Sequence, residues 1–346
     1  MMTRCDKLRK ALKENEGVLI SGYANIFYYT GFTSEDALVF ITHQRQILIT
    51  DSRYTVQARL EARDFEIRDI SEGVEKIASL LDCDVLGFEE NVVTVSQLAS
   101  FQKFGKKLVP MNKIISGPRM IKDESEIKRI AAAEALGDRA FQNLLDNFRF
   151  GMTEREVALE LEFFMRKNGA SRTSFDTIVA SGKRSSMPHG VATDKVIGIG
   201  DFVTIDFGCR LDGYCSDMTR TLVIGKCSQR QQEIYETVLA AQKAAIAAVK
   251  PGVKCAEIDA VARNIIKEAG YGDNFGHSLG HSVGIEIHER PNFAPRSEDV
   301  VEKGNVITVE PGIYIDGFGG VRIEDVIAVG ENTINLTKTC KELTIL

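Results

Sequence analysis

Acidic residues recur at strand-like positions in the C-terminal half of the chain. Asp206 lies in Val203-Thr204-Ile205-Asp206-Phe207-Gly208, and Asp217 opens Asp217-Met218-Thr219-Arg220-Thr221-Leu222-Val223. Between them, Leu211-Asp212-Gly213 is a turn signal. A hairpin centred near Asp212 makes the two carboxylates directly opposed or diagonal neighbours on one face. Facing carboxylates repel, and a divalent cation removes that penalty. The plain alternative is two solvated strand acids, but both sit among apolar strand residues. Glu310 precedes Pro311-Gly312 at the end of another strand, and Arg322 and Glu324 alternate with Val321 and Ile323 on the next. Gly317 and Gly319-Gly320 let the chain turn back between these strands, so Glu310 and Glu324 can approach as Asp206 and Asp217 do. For Arg322 and Glu324 the plain alternative is a surface ladder.

The chain has five histidines, of which His277, His281 and His288 fall between Gly276 and Glu289. His277 and His281 have the spacing of a helical zinc pair. Gly276, Gly280 and Gly284 argue against a helix there. Because Val283, Ile285 and Ile287 alternate, the segment reads as a glycine-rich loop running into a strand, with His288 on the opposite face. His189 lies in Pro188-His189-Gly190. One histidine alone is usually structural, a reading that suits His43 in a surface turn but not this cluster. Four carboxylates and one imidazole, with no thiolate, suit Mn²⁺, Co²⁺, Zn²⁺ or Fe²⁺ better than a structural zinc. Four negative charges balance two such ions. Held about 3.5–4 Å apart, they can share a water, lower its pKa and stabilise a tetrahedral intermediate.

These side chains need elements to hold them. In residues 16 to 120, Gly17 to Ile20, Ala37 to Ile41 and Gln46 to Thr50 read as strands, the last two around a hairpin turn at His43-Gln44-Arg45. Tyr54 to Ala62 and Val74 to Leu81 read as helices, which makes a mixed α/β domain without a Gly-rich phosphate loop. Met111 to Met120 reads as a loose connector containing Gly117-Pro118. A long helix follows, opened by a capping box of Asp123 and Glu126 and ended before Gly151. Ile127, Ile130, Ala131, Phe141, Leu145 and Phe148 share its apolar face, with Leu144 at the edge and Glu134 interrupting it. A faint repeat runs through the rest. Gly151 to Gly169 and Gly252 to Gly270 enclose helical stretches of equal length, with Glu156-Val157 and Glu257-Ile258 in the same place. A long helix precedes each, the second opening at Ser228 with Gln231 as capping partner. Strands follow each, and each copy delivers an acid two residues before a glycine, at Asp206 and Glu310. That pattern predicts a pseudo-two-fold α/β domain.

Bulk properties narrow the class. A chain of 346 residues suggests two domains, and 44% hydrophobic with 27% charged residues is globular composition. The net charge of −6 disfavours a nucleic-acid or anionic-membrane binder. The seven cysteines include no CxxC, so they read as buried or half-buried fillers in a reducing compartment. Met1 to Gly17 lacks the apolar core of a secretory signal, and no apolar run is long enough to span a membrane, so a cytoplasmic protein is expected.

The order Asp, Asp, His, Glu, Glu resembles the pita-bread metallopeptidases, and more narrowly the Xaa-Pro aminopeptidase and prolidase group. The motifs are Val203 to Gly208, Ser216 to Thr221, Gly280 to Gly284, Thr308 to Tyr314 and Val321 to Asp325. Asn25-Ile26-Phe27-Tyr28-Tyr29-Thr30-Gly31-Phe32 and Thr50-Asp51-Ser52-Arg53-Tyr54 resemble the creatinase-like N-terminal domain of that group. The resemblance spans essentially the whole chain. It implies a creatinase-like mixed α/β domain over residues 1–118 and a pseudo-two-fold pita-bread (α+β) catalytic domain over 119–346. It implies that Asp206 binds one ion, Asp217 and Glu324 bridge both, and His281 and Glu310 hold the second. Glu310 matches the proton shuttle for a hydroxide bridging two divalent ions, Mn²⁺ being the first expectation. His189, His277 and His288 match residues that contact the substrate carbonyl or the intermediate, and Arg322 matches an arginine that orients the metal-site acids. A homodimer is implied as well.

The reaction expected is hydrolysis of the bond between an N-terminal residue and a following proline in small peptides. That bond is a tertiary amide without an N–H, and its ring fixes φ. Asn292 stands where many relatives carry arginine, the natural partner of a substrate carboxylate. The preferred expectation is therefore an Xaa-Pro aminopeptidase, with Xaa-Pro dipeptidase as the alternative and Arg296 as a carboxylate partner for it. Methionine aminopeptidase is disfavoured by the N-terminal domain. A creatinase-type hydrolase, or a metal-free interaction module of the same fold, would lack ligands that are all present here.

Overall fold

In the computed structural model, which describes residues 2–346, the chain divides after Arg119 into two units. In the first unit, short runs rich in Val, Ile, Leu and Phe become strands. These are β1 (Glu16–Ile20), β2 (Leu38–Ile41), β3 (Gln46–Thr50), β4 (Glu66–Asp69), β5 (Val85–Phe88) and β6 (Lys107–Pro110). They form one mixed sheet in the order β4-β3-β2-β1-β5-β6. The hairpin at His43 to Arg45 is present, with Ile41 opposite Gln46, and helices occupy Thr55–Glu61 and Val74–Ser79. Leu19, Phe40, Ile47, Ile49 and Leu86 pack with Phe101 and Phe104 on one face of the sheet. The segment expected to be a loose connector is instead helical, an α-helix at Asn112–Ser116 followed by a 3₁₀ turn at Gly117–Met120. Ile115 anchors it in the core, and the carbonyl of Ile115 accepts the Tyr29 hydroxyl at 2.7 Å.

The second unit opens with the helix Glu124–Asn147, capped by Asp123 and Glu126 as a reciprocal box. Its buried face is rotated from the expected one. Ile130, Ala133, Leu136, Gly137, Ala140, Phe141 and Leu144 line it, while Ile127, Ala131 and Leu145 are half-buried. Small residues set this packing, and counting bulky apolar positions undervalues them. Glu134, expected as an interruption, lies inside that face and is fully buried.

The internal repeat is structural. Gly151, Gly169, Gly252 and Gly270 all have positive φ, between 89° and 108°, a region that favours glycine. They bracket the helices Glu154–Lys167 and Cys255–Glu268, each of 14 residues, with Val157 and Ile258 buried in corresponding places. Ser228 and Gln231 cap the long helix Gln229–Ala248 as expected. The first half supplies β7 (Arg172–Thr173), β8 (Ile178–Ser181), β9 (Phe202–Phe207), β10 (Cys209–Leu211), β11 (Tyr214–Cys215) and β12 (Met218–Val223). The second supplies β13 (Gly280–Ser282), β14 (Glu289–Phe293), β15 (Val306–Val309), β16 (Gly312–Ile315), β17 (Gly319–Arg322), β18 (Asp325–Ala328), β19 (Ile334–Asn335) and β20 (Thr344–Ile345).

Two corresponding sheets result. In one, β9 is central between antiparallel β8 and β12; in the other, β15 is central between antiparallel β13 and β18. Val203, Ile205 and Phe207 pack on the first helix pair, and Ile307 and Val309 on the second. A seam joins the halves. The Glu324 N–H donates to the Thr219 carbonyl at 3.1 Å, and the Thr221 hydroxyl donates to the Arg322 carbonyl at 3.0 Å.

Two further expectations are corrected. The glycine-rich loop is present at residues 283 to 288 and runs into β14 at Glu289, but the Val283 to Ile287 alternation is not itself a strand, because Ser282, Val283, Gly284 and Ile285 are buried in succession. Cys340 is exposed, in the loop before β20, so it is not a filler; five of the other cysteines are buried, Cys227 is half-buried, and none is paired. Among the described residues, no helix is long and apolar enough to cross a membrane.

Candidate metal centre

The turn chemistry that brings Asp206 to Asp217 is visible in the backbone. Asp212 and Gly213 take φ of 48° and 84°, the geometry of a tight two-residue hairpin turn, and Leu211 pairs with Tyr214 across it. The register then carries Asp206 opposite Thr219. Asp217, two residues earlier, is its diagonal neighbour. In the second half, Val309 pairs with Asp325 and Gly312 with Arg322. The register is the same on either side of the intervening residues, which sets Glu310 opposite Glu324. The turn between β16 and β17 uses Gly317 and Gly319 at φ 71° and 147°.

All four acids lie at the seam, and His281 on β13 faces them. Asp217, His281 and Glu324 each offer a ligand atom within 4.8 Å of the others. His281 Nε2 lies 3.6 Å from Asp217 Oδ2 and 3.4 Å from Glu310 Oε1. Burial holds the His281 imidazole down to about 4, so neither contact is an ion pair at neutral pH. His281 Nδ1 lies 3.2 Å from the Ser282 carbonyl, which can only accept, so the ring proton sits there. The Nε2 lone pair therefore points at two carboxylates, a repulsive arrangement that a cation turns into ligation.

The acids report the same strain. Burial, then the charges of Glu324, Asp206 and Glu310, lift the Asp217 carboxyl well above the usual range. Burial, then Glu310 and Asp206, does the same to Glu324. Burial pushes Glu310 up to about 8. Asp206 Oδ1 and Glu324 Oε1 are buried oxygens without a hydrogen-bond partner. Buried polar atoms are normally satisfied, and orphaned ones of this kind mark a missing ion or water. The donor set, with hard oxygens and one neutral imidazole, fits divalent cations.

The surrounding groups orient these ligands. Arg322, read on one side as a surface ladder, is buried and donates to Asp206 Oδ2 at 2.6 Å, Thr219 Oγ1 at 3.1 Å and Tyr314 Oη at 2.7 Å. Thr219 in turn donates to Glu324 Oε2 at 2.7 Å, and Thr308 donates to Glu310 Oε1 at 3.1 Å. Since Arg322 only donates, Tyr314 donates its own proton to His277 Nε2 at 2.9 Å, and His277 Nδ1–H donates to the Ser278 carbonyl at 2.8 Å. Burial holds His277 neutral, down to about 4. Both of its ring nitrogens are thus engaged within the protein. His288 is exposed, and its ring stands edge-on to His281 with centroids 4.4 Å apart. His189 is exposed and close enough for its charge to act on His277 and His288.

The sequence matches Metallopeptidase family M24 over residues 128–331 and the Creatinase/Prolidase N-terminal domain over residues 4–121. The chain belongs to metallopeptidase family M24. It is 40% identical over 348 residues to the Xaa-Pro dipeptidase of Pyrococcus furiosus, covering 99% of this chain and 100% of that one. The solved structure of an Xaa-Pro dipeptidase from Bacillus anthracis superposes with a TM-score of 0.95 at 45% identity, covering 99% of each chain. That of an X-Pro aminopeptidase from Thermotoga maritima gives 0.91 at 39% identity, covering 97% of this chain and 99% of that one. The fold is thus the creatinase-like domain plus pita-bread domain of this family.

Around this candidate site, several contributing residues were not singled out from the sequence. Thr219 and Thr308 each stand two residues from a ligand candidate on the same strand face, a period-2 cue that was available. Tyr314 lies in the Glu310 motif, yet its link to Arg322 and His277 depends on the β16–β17 pairing. Asn292 pairs with His281 across β13 and β14, and Arg296 is exposed.

Proposed function

We propose that this metallopeptidase is a dinuclear Xaa-Pro dipeptidase. The observation that carries the dinuclear part is the convergence of buried Asp206, Asp217 and Glu324, half-buried Glu310 and the His281 lone pair, with Asp206 Oδ1 and Glu324 Oε1 left without protein partners. Asp206, Asp217, His281, Glu310 and Glu324 would hold two divalent ions, with Mn²⁺ suited to this oxygen-rich set. Bound there, the ions would polarise the scissile carbonyl and acidify a water. Glu310 takes the proton of the attacking water and delivers it to the departing proline nitrogen, which leaves as a secondary amine and needs one. Without an ion, burial holds this carboxyl up to about 8, and a bound cation would draw it down toward the ionised form that accepts a proton from water. His189 and His288, both exposed beside the cluster, would donate to the carbonyl oxygen as charge develops on it. His277 acts through Tyr314 and Arg322, bracing Asp206.

The choice of dipeptidase over aminopeptidase reverses the preference based on Asn292. Relatives from Pyrococcus furiosus and Bacillus anthracis that match nearly the full chain are Xaa-Pro dipeptidases, which supports the alternative. An arginine at position 292 is then not required to read the substrate carboxylate, and Arg296 is the nearby candidate. Seven unpaired cysteines suit a reducing compartment such as the cytoplasm. The test compares kcat/KM for one Xaa-Pro dipeptide with the same peptide extended by one and by three residues. A preference of at least about tenfold for the dipeptide, reduced in Arg296→Ala, is expected from losing a charge-assisted contact. Equal or faster cleavage of the extended peptides makes it an aminopeptidase.

A further inference from the structure

We infer that Glu134 and Thr337 form a strap that sets the two proposed bridging carboxylates, Asp217 and Glu324, relative to one another. The inference rests on the dinuclear reading above. Asp217 lies in the gap between β11 and β12, where the hairpin ladder is interrupted. The register continues it to Gly208, but Gly208 is pressed against the Ser216 carbonyl so closely that no Cβ fits. Next to it the ladder resumes in register, where the Ser216 N–H donates to the Cys209 carbonyl at 2.9 Å. The Asp217 N–H crosses to the helix Glu124–Asn147 and donates to Glu134 Oε1 at 2.8 Å.

The other oxygen of Glu134 faces the second half of the domain. Glu134 Oε2 accepts the Thr337 hydroxyl at 2.9 Å, and Thr337 Oγ1 accepts the Val326 N–H at 3.0 Å. Val326 is on β18, two residues beyond Glu324. A single chain of hydrogen bonds therefore runs from the backbone of one bridging candidate, through a helix carboxylate, to the strand that begins beside the other. One helical turn on, Asp138 accepts the N–H groups of Lys338 and Thr339 at 3.0 and 2.7 Å, which fixes the segment carrying Thr337. Glu134 is fully buried and makes no ion pair among the described residues. Such an acid costs stability where an apolar residue would not. Its place in the middle of a largely apolar face is explained by the two elements it ties, since groups behind metal ligands set ligand position and hence affinity.

The experiment titrates metal-free wild type, Glu134→Gln, Glu134→Leu and Thr337→Val with Mn²⁺ by calorimetry, with bound metal counted by elemental analysis and folding checked by circular dichroism. Glutamine keeps an oxygen for the Asp217 N–H and is expected to stay within about threefold of wild-type affinity. Glu134→Leu is expected to hold its weaker ion about tenfold or more less tightly, the usual scale for losing a group behind the ligands. Thr337→Val leaves the helix intact and falls between them, so it decides the matter should Glu134→Leu fail to fold. Two ions bound with wild-type affinity by Glu134→Leu, or by Thr337→Val where the leucine variant does not fold, overturn the strap. A Glu134→Gln as weak as Glu134→Leu overturns it too, because charge rather than the hydrogen bond would then matter. Wild-type protein that takes up fewer than two ions overturns the dinuclear reading itself, and the strap with it.

Discussion

The proposed roles of Glu310 make two demands that usually exclude each other. A metal ligand must give up its proton, and a proton shuttle must take one at neutral pH. Without an ion, burial raises Glu310 to about 8 while Arg322 and the Thr308 hydroxyl pull it back, and a bound cation would lower it further in favour of the ligating carboxylate. Glu310→Gln removes the exchangeable proton and the charge while keeping the shape. Turnover of an Xaa-Pro dipeptide is expected to fall by roughly 10²–10⁴, the range lost with a general acid–base group. The circular dichroism spectrum should be unchanged. Steady-state kinetics at matched metal content check this, and near-wild-type kcat would remove Glu310 from the proton path. Other roles at this scale depend on hydrogen-bond direction. Arg322 can only donate, and this fixes the direction of the Tyr314–His277 bond and the tautomer of His277. That chain is the basis for proposing that His277, with both nitrogens engaged, acts by steadying the arginine that holds Asp206.

At the scale of elements, the site depends on two strands approaching closer than side chains allow. A Cβ at Gly208 would collide with the Ser216 carbonyl, beside Asp217, and one at Gly280 with the Thr308 carbonyl, beside Glu310. Thr308 also accepts the His281 N–H at 3.0 Å, so displacing it disturbs two ligand candidates together. Gly280→Ala and Gly208→Ala are each expected to cost about 1–3 kcal/mol of stability, as overpacking does, and to lower bound metal. Denaturant melts and elemental analysis measure both effects; wild-type stability with wild-type metal content would contradict the close-approach account. These glycines also show what was legible in advance. The Asp212-Gly213 turn, both capping boxes and the glycine-bracketed repeat are local patterns, and the structure carries each where the residues placed it. The alternation of Val283, Ile285 and Ile287 misled, because consecutive burial from two sides overrode period-2 patterning in a short loop. Glu134 was legible only as an anomaly: its partners, the Asp217 N–H and Thr337, are distant in sequence and meet it only through tertiary packing.

The whole molecule carries the cost of assembling its site without an ion, and pH exposes that cost. In the metal-free chain, Asp217 and Glu324 are held well above the usual carboxylate range and Glu310 at about 8, in each case first by burial. A carboxyl raised on folding contributes stability while it is protonated in the fold, and that contribution is lost as pH rises through the folded value. His277 and His281 act oppositely, because burial lowers them from 6.5 to about 4. Below 6.5 the unfolded chain takes up protons that the folded imidazoles refuse, so their contribution falls as pH falls. Between about 8 and 6.5 the carboxyls act alone, and chelator-treated protein should gain stability as pH drops. Below 6.5 the two histidines offset part of the gain from the three carboxyls, so stability should go on rising more gently until the unfolded carboxylates begin to protonate near 4.5. Saturating Mn²⁺ reverses the upper arm, because ligands bind the ion only when deprotonated. Scanning calorimetry across this range, following the transition that chelation shifts, measures the effect. Melting temperatures of chelated protein that stay flat or rise from pH 6.5 to 8 would mean that Asp217, Glu310 and Glu324 are already neutralised by something other than a cation.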